Sequence, residues 1–132
     1  MALQYTATHR TNNMNDIVTA AGSTAYILIY TGSAPANVAA AATGSLLASL
    51  PCSATLGTVS SGVLTFNAIT SATAAAGTAG YWRLCTTSGG TTCIAQGLCG
   101  TSGSDLNFAA GTTWTAGQTV SISSWTITAF GA

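Results

Sequence analysis

The chain has 132 residues, and only two Arg and two Asp carry a full charge at neutral pH, with no Lys and no Glu. A monomeric soluble domain normally has about 25–35% charged residues on its surface, whereas this chain has 3% in total. Hydroxyl, amide and backbone groups must therefore face water, and a net charge of zero removes the repulsion that keeps small domains apart. Both features favour a subunit of a permanent assembly over a freely diffusing enzyme.

The composition also excludes several kinds of partner. Two Arg without a basic stripe cannot neutralise a phosphate backbone, so we expect no nucleic acid partner. No apolar run is long enough to span a bilayer, and the first residues lack the basic and apolar regions of a secretory signal. We therefore expect neither membrane association nor export. The length predicts a single domain over residues 1–132.

Residues 1–22 are predicted to contain an N-terminal arm and one short helix. Four apolar residues recur at helical spacing and form one stripe, with Thr11 or a neighbouring Asn as the N-cap and Gly22 as the terminator. The stripe either docks on a neighbouring subunit or closes one end of the domain, and we favour the second interpretation. Its residues are Met14, Ile17, Val18 and Ala21.

Residues 24–130 are predicted to form the β domain. The run 25–30 is apolar at every position, which is typical of a central strand covered on both faces. Ser88-Gly89-Gly90 separates two strand-like runs and gives the clearest hairpin. For the segment 39–42, a helical turn and a packed connection both remain open. The other predicted strands are 46–50, 54–58 and 63–68, with a turn at 60–62.

The C-terminal stretch changes the side on which its apolar residues lie. Val120 and Ile122 share one parity, whereas Trp125 and Ile127 share the other. A β-bulge or bend at Ser123-Ser124 would return all four side chains to one inner face. With the other runs this gives seven or eight strands, so we predict an all-β fold, a β-sandwich or jelly roll with one short N-terminal helix.

Side chains for catalysis or metal binding are sparse. The only carboxylate side chains are Asp16 and Asp105, His9 is the single histidine, and no Ser lies in a G-x-S-x-G motif. No two Gly are separated by one residue, which removes the G-x-G phosphate loops. The sequence therefore predicts no enzymatic activity, no cofactor and no metal site.

Two of the four cysteines are placed symmetrically about the hairpin turn. Cys85 and Cys93 are equally distant from Gly89, so they are predicted to face each other across the two strands. A disulfide fits that distance. Two buried thiols are the alternative, and synthesis in a reducing cytoplasm favours them.

Arg83 lies in the middle of a strand among Tyr81, Trp82 and Leu84. A covered guanidinium without a partner is costly, and Asp105 is the carboxylate available to it, which predicts a structural ion pair. In the alternative interpretation, Arg83 and Tyr81 form an exposed contact patch for a neighbouring subunit, since Arg and aromatic residues are enriched at interfaces.

Five segments spread over the chain carry a resemblance to known proteins. They are Met1-Ala2-Leu3-Gln4 with Asn12-Asn13-Met14-Asn15, Tyr30 to Asn37, Gly77 to Arg83, Gly103 to Asn107, and Ala116 to Val120. In these segments the chain resembles short virion proteins of tailed bacteriophages, and the four cysteines lie outside the shared pattern. The resemblance implies a β-sandwich or jelly-roll virion protein of the head decoration or cement type. It also implies attachment to the major capsid protein or other virion subunits, homo-oligomerisation, and assembly into the virion in the host cytoplasm.

Two other functions remain open at this point. Within a phage particle, the chain could be a tail-fibre, spike or collar component. Outside one, it could be a carbohydrate-binding β-sandwich that uses Trp82, Trp114 and Trp125 as stacking faces. Exposure of a tryptophan pair would favour sugar binding, and burial of all three would remove it.

Overall fold

One helix and eleven short strands form the regular structure of residues 2–131, the part of the chain that the computed structural model describes. The protein is mostly β, as predicted, but its strands are shorter and more numerous than the seven or eight expected. The helix α1 is Ala7–Ala21, and the strands are β1 Tyr26–Thr31, β2 Leu46–Pro51, β3 Gly57–Ser60, β4 Val63–Phe66, β5 Ala72–Thr73, β6 Gly77–Cys85, β7 Cys93–Gly100, β8 Leu106–Asn107, β9 Thr113–Trp114, β10 Thr119–Val120 and β11 Thr126–Thr128.

The helix begins earlier than predicted. Thr6 is its N-cap, because the Thr6 hydroxyl accepts a hydrogen bond from the His9 backbone N–H at 3.2 Å. Thr11 and the neighbouring Asn residues, the predicted caps, lie inside the helix, where the Thr11 hydroxyl accepts a bond from the Gly62 N–H at 2.9 Å. The predicted apolar stripe is confirmed: Met14 and Ala21 are buried, and the other two residues pack against the same core. The helix therefore closes over its own chain, and Gly22 ends it with a positive φ of 63°.

The largest sheet has the order β2-β1-β6-β7-β8, and β9 also pairs with β6. Its pairs are antiparallel except β7 with β8. The prediction of a central first strand is confirmed, because β1 lies between β2 and β6 and Ile27, Leu28 and Ile29 are completely buried. The long hairpin of β6 and β7 is also confirmed.

A three-stranded sheet, β11-β4-β3, contains the second predicted hairpin. Ser61 and Gly62 form its turn with φ values of 49° and 78°, the positive values that a two-residue turn between antiparallel strands requires. The predicted strand 54–58 is wrong in its first half, since pairing starts only at Gly57. The segment 39–42 is an irregular connection and not a helical turn.

The C-terminal stretch bends as predicted, although no bulge forms within one strand. Residues 121–125 belong to no strand, and they lead from β10, which pairs with β5, to β11, which pairs with β4. Val120, Ile122 and Trp125 are buried, and Ile127 packs against the same core. The chain therefore passes from one sheet to another at the point where its apolar residues change parity.

Aromatic side chains join the sheets through one core. Trp125 stacks on Phe66 of β4 with ring centroids 4.6 Å apart, and it meets Trp82 of β6 edge-on at 4.7 Å. The three-stranded sheet is thus held against one face of the larger sheet, here called the core face, which carries Ile27, Ile29, Trp82 and Leu84.

Candidate functional site

The opposite face of the large sheet is covered by a loop instead of a second sheet. This loop-covered face carries Leu28 and Tyr30 of β1 and Tyr81, Arg83 and Cys85 of β6, which alternate with the residues of the core face. The covering loop, residues 32–45, connects β1 to β2. Three hydrogen bonds join this loop to side chains of β6 and β7. The Tyr81 hydroxyl accepts from the Thr43 backbone N–H at 2.9 Å and donates to the Thr43 C=O at 2.6 Å. Gln96 Nε2 donates to Pro35 O at 2.9 Å.

The predicted contact patch of Tyr81 and Arg83 is therefore wrong. Tyr81 is completely buried, and Arg83 is 2% exposed. Tyr81 stacks on Tyr30 with ring centroids 5.1 Å apart, beneath the covering loop. Neither side chain is available to a neighbouring subunit, because the chain itself occupies the surface that they would offer.

The predicted ion pair of Arg83 with Asp105 is also wrong. Asp105 is exposed, and its carboxylate lies towards the core face, where a Cβ on Gly97 would come within 2.8 Å of both Asp105 Oδ2 and Trp82. Trp82 and Arg83 are successive residues of one strand, so their side chains point to opposite faces. Asp105 Oδ2 instead accepts a hydrogen bond from the Leu98 N–H at 2.9 Å. Arg83 and Asp105 are therefore separated because their side chains lie on opposite faces of the sheet.

Arg83 has no carboxylate partner within residues 2–131. Its Nε and Nη2 atoms are buried and have no hydrogen-bond acceptor there. The third nitrogen, Nη1, lies 4.0 Å from the Cys93 sulfur, which is a weak acceptor at the limit of contact. Buried guanidinium groups are normally paired, so the environment of Arg83 is unusual.

A row of polar side chains crosses the sheet at the level of Arg83. The row contains Ser49 of β2, Arg83 of β6 and Gln96 of β7. Leu28 of β1 lies between Ser49 and Arg83 in the same row. Ser49 Oγ and Gln96 Oε1 are buried and unpartnered within the described residues, like the Arg83 nitrogens. Unsatisfied polar groups are therefore concentrated on the loop-covered face.

Arg83 lines a cavity of about 650 Å³ between the covering loop and the turn of the β6–β7 hairpin. Tyr30 contributes a hydroxyl to the wall, and burial raises the pKa of that hydroxyl, followed by the effect of Tyr81 and opposed by Arg83. Tyr30 is therefore a neutral hydrogen-bond donor at physiological pH. The cavity, here called the Arg83 cavity, is completed by residues 38–42 and 89–93.

The hairpin wall of the cavity is closed by a disulfide between Cys85 and Cys93. The predicted cross-strand placement of these cysteines is confirmed, and the bridge forms in place of two thiols. The remaining cysteines, Cys52 and Cys99, are half-buried thiols. Burial raises the pKa of Cys52 to about 11 and, together with Asp105, that of Cys99 to about 12. Both are protonated at neutral pH and poorly nucleophilic.

The tryptophans offer no stacking surface for sugars. Trp82, Trp114 and Trp125 are 4%, 5% and 8% exposed. The carbohydrate-binding hypothesis loses the side chains on which it depended.

The exposed surface contains four large apolar side chains within residues 2–131. Two of them, Leu46 and Leu98, lie at the ends of one row across the sheet. The stacked rings of Tyr30 and Tyr81 lie between them in the same row. The other two are Leu3 and Phe130, near the chain termini, where the Tyr5 N–H bonds to Gly131 O. Within the same range, no group of three metal-binding side chains occurs and no helix is long and apolar enough to cross a bilayer.

Sequence reasoning missed the cavity with Tyr30 in its wall, and it missed the buried polar atoms of Ser49 and Gln96 on the same face of the sheet. A hairpin centred on Gly89 would pair Arg83 with Ala95, but a register shift between Leu84 and Cys85 pairs it with Gln96. The available signal was Arg83 itself, the one charged residue in a strand buried on both faces. Comparison with protein-family models, curated proteins and solved structures gives no match for the chain.

Proposed function

We propose that the protein is a non-enzymatic structural subunit of a phage virion, a decoration or cement protein that binds the outer surface of the head. It binds the major capsid protein or other virion subunits as a homo-oligomer, after synthesis in the bacterial host cytoplasm. Its packed sheets would form a sandwich of the jelly-roll type. The sequence resemblance to phage virion proteins is the reason for proposing a phage particle as the assembly.

The distribution of charge is the observation that supports this proposal. Within residues 2–131, the acidic side chains Asp16 and Asp105 are exposed, Arg10 is half-buried, and Arg83 is buried. Burying an ion at an interface costs several kcal/mol unless it is paired. A surface of Thr, Ser, Asn and Gly can be covered by a partner without that cost, which suits a subunit that stays attached.

The proposed contact includes Leu46 and Leu98. They are 42% and 53% exposed, and each stands at one end of the row that passes under the covering loop. Exposed apolar side chains gain about 25 cal/mol for each Å² that a partner covers. The edges of the loop-covered face are therefore favourable places for a neutral partner surface.

Cryo-electron microscopy of phage particles tests the proposal. Particles lacking the gene would be compared with wild-type particles and with particles to which purified protein is added back. We expect density repeated over the shell lattice, lost on deletion and restored by addition. Density confined to the tail axis would favour a tail-fibre, spike or collar component instead, and absence from the particle would refute a virion role.

A matched pair of variants tests the proposed contact. Leu98→Asn should reduce the occupancy of added protein on deleted particles, because it removes exposed apolar area. Thr58→Asn, at an exposed position of β3, should leave occupancy unchanged. Equal occupancy for Leu98→Asn and wild type would exclude Leu98 from the contact.

A further inference from the structure

We propose that Cys93 is a site of thiol–disulfide exchange with small thiols and their disulfides, and that Arg83 activates its sulfur by stabilising the thiolate. This inference is independent of the virion role. It starts from the Cys85–Cys93 bridge, whose two residues differ in exposure. Cys85 is completely buried, whereas Cys93 is half-buried and lines the Arg83 cavity. The cavity therefore gives a small molecule access to Cys93, while the sheet and the covering loop enclose Cys85.

Small residues surround the cavity on the side of Cys93. The covering loop contributes residues 38–42, a valine followed by four alanines, and the hairpin turn contributes Gly89 and Gly90. The volume of about 650 Å³ is within the range of sites for small ligands. A thiol the size of glutathione can therefore be accommodated next to Cys93, whereas a folded protein cannot enter.

Arg83 supplies the positive charge that a reactive cysteine requires. Its Nη1 atom lies 4.0 Å from the Cys93 sulfur. The sulfur is uncharged in the disulfide, but reduction creates a thiol whose deprotonated form places a negative charge beside the guanidinium. A neighbouring cation stabilises the thiolate, which is the nucleophilic form of cysteine. Neither Asp16 nor Asp105 lines the cavity, so no carboxylate competes with the thiolate for Arg83 there.

The other ionisable groups near Cys93 on the loop-covered face are tyrosines. Strand β1 contributes Tyr26 and Tyr30 to this face, and β6 contributes Tyr81 besides Arg83. The covering loop, residues 32–45, contains no ionisable side chain. Tyrosine hydroxyls are uncharged at neutral pH. Arg83 therefore determines the electrostatic environment of the Cys93 sulfur.

Exchange with a small disulfide proceeds through a mixed disulfide. The Cys93 thiolate attacks one sulfur of the small disulfide, forms a bond to it and releases the other sulfur as a small thiolate. Cys85 then gives its thiol proton to solvent, and its sulfur attacks Cys93 Sγ, which closes the bridge and expels the second small thiolate. Two electrons pass from the protein to the small disulfide. Reduction by two small thiols follows the same steps in reverse, so Cys93 exchanges and Cys85 resolves.

Alkylation of the reduced wild-type protein tests the reactivity of Cys93. The bridge is reduced with a phosphine, circular dichroism verifies the fold, and mass spectrometry of peptides follows iodoacetamide addition at each cysteine. At pH 7, Cys93 should react at least about 10-fold faster than Cys52 and Cys99, because burial raises the pKa of these thiols to about 11 and about 12, the latter also through Asp105. The rate at Cys93 should reach half its maximum below about pH 8.5, the value for an ordinary thiol.

Two results of this experiment would overturn the proposal. One is a Cys93 rate no higher than those of Cys52 and Cys99, and the other is faster reaction of Cys85 than of Cys93.

Variants of Arg83 test whether its charge activates the sulfur. Arg83→Met should lower the Cys93 rate at pH 7 about 5- to 10-fold and leave the rate at pH 10 unchanged, because it lowers the thiolate fraction. Arg83→Lys, which keeps the charge, should retain most of the rate at pH 7. Equal rates at pH 7 in Arg83→Met and wild type, or an equal loss at both pH values, would refute activation by charge.

A pair of cysteine variants tests which sulfur exchanges, without prior reduction. Cys85→Ala treated with glutathione disulfide should form a glutathione adduct on Cys93, at a rate that rises with pH like the alkylation rate. Cys93→Ala is the matched control, and its buried Cys85 should form no adduct under the same conditions. An adduct on Cys85 in the control as fast as on Cys93, or no adduct on Cys93, would contradict the assigned roles.

Discussion

At Gly80, the backbone of β6 lies directly against the backbone of the covering loop. A Cβ at this position would overlap the carbonyl oxygen of Gly32, a backbone atom that cannot rotate away. Gly32 follows β1 directly and opens the covering loop. The approach of the loop to β6 therefore depends on a residue without a side chain.

Gly80→Ala should lower the free energy of unfolding by about 2–3 kcal/mol, because the strand or the loop must shift. Gly89→Ala is the matched control: its Cβ would meet only Thr87 Oγ1, at 3.9 Å, and its φ is not in the left-handed region. We expect the control to change stability by less than about 1 kcal/mol. Urea unfolding of both variants measures the difference, and equal stabilities would contradict the crossing.

At the scale of elements, the β6–β7 hairpin contains the Cys85–Cys93 disulfide and forms one wall of the Arg83 cavity. The bridge joins residues separated by 8 positions in sequence. Closing so short a loop restricts the unfolded chain less than a long one would, which predicts a contribution of about 2–3 kcal/mol.

The double variant Cys85→Ala/Cys93→Ala should lose that stability. A reducing agent provides the matched comparison, because it should lower the thermal midpoint of the wild type towards that of the double variant and leave the double variant unchanged. An equal effect of the reductant on both proteins would show that the bridge contributes nothing to stability.

Helix α1 allows a second test with neighbouring residues. Met14 is 7% exposed and packs into the core, while Asn15 is exposed. Met14→Ala should cost about 2–3 kcal/mol through lost burial and the cavity that remains. Asn15→Ala should stay within about 0.5 kcal/mol of the wild type. Chemical denaturation measures both, and a Met14→Ala variant as stable as Asn15→Ala would refute the packed stripe.

The elements that sequence predicted well are those with local signals. The apolar stripe of α1, the turn at Ser61-Gly62 and the pairing of Cys85 with Cys93 each follow from spacing within a short segment. The environment of Arg83 depends on which loop covers its face and on a register shift, and both are non-local. The covering loop has no periodic pattern, so its position over Tyr81 could not be predicted from its sequence.

At the scale of the whole molecule, the few charges are separated from one another. Arg83 lies beneath the covering loop, whereas Asp16 and Asp105 are exposed. The exterior thus presents little charge to a partner, and the strongest electrostatic site is inside. Long-range attraction can contribute little to the proposed attachment, which would depend on contact between neutral surfaces.

The proposed attachment to phage heads should consequently be insensitive to salt. At 1 M ionic strength the screening length is about 3 Å, so exposed ion pairs would be weakened, but apolar contacts such as those proposed for Leu46 and Leu98 would persist. We expect the fraction of protein that sediments with particles to be the same at 50 mM and 1 M sodium chloride, within about twofold. Asp16→Asn is the matched control, and it should sediment like the wild type at both concentrations. Ammonium sulfate should retain the protein on particles, because excluded salts strengthen apolar burial. Release of the wild type in 1 M sodium chloride would show that ion pairs hold it, and neutral contacts would then no longer explain attachment.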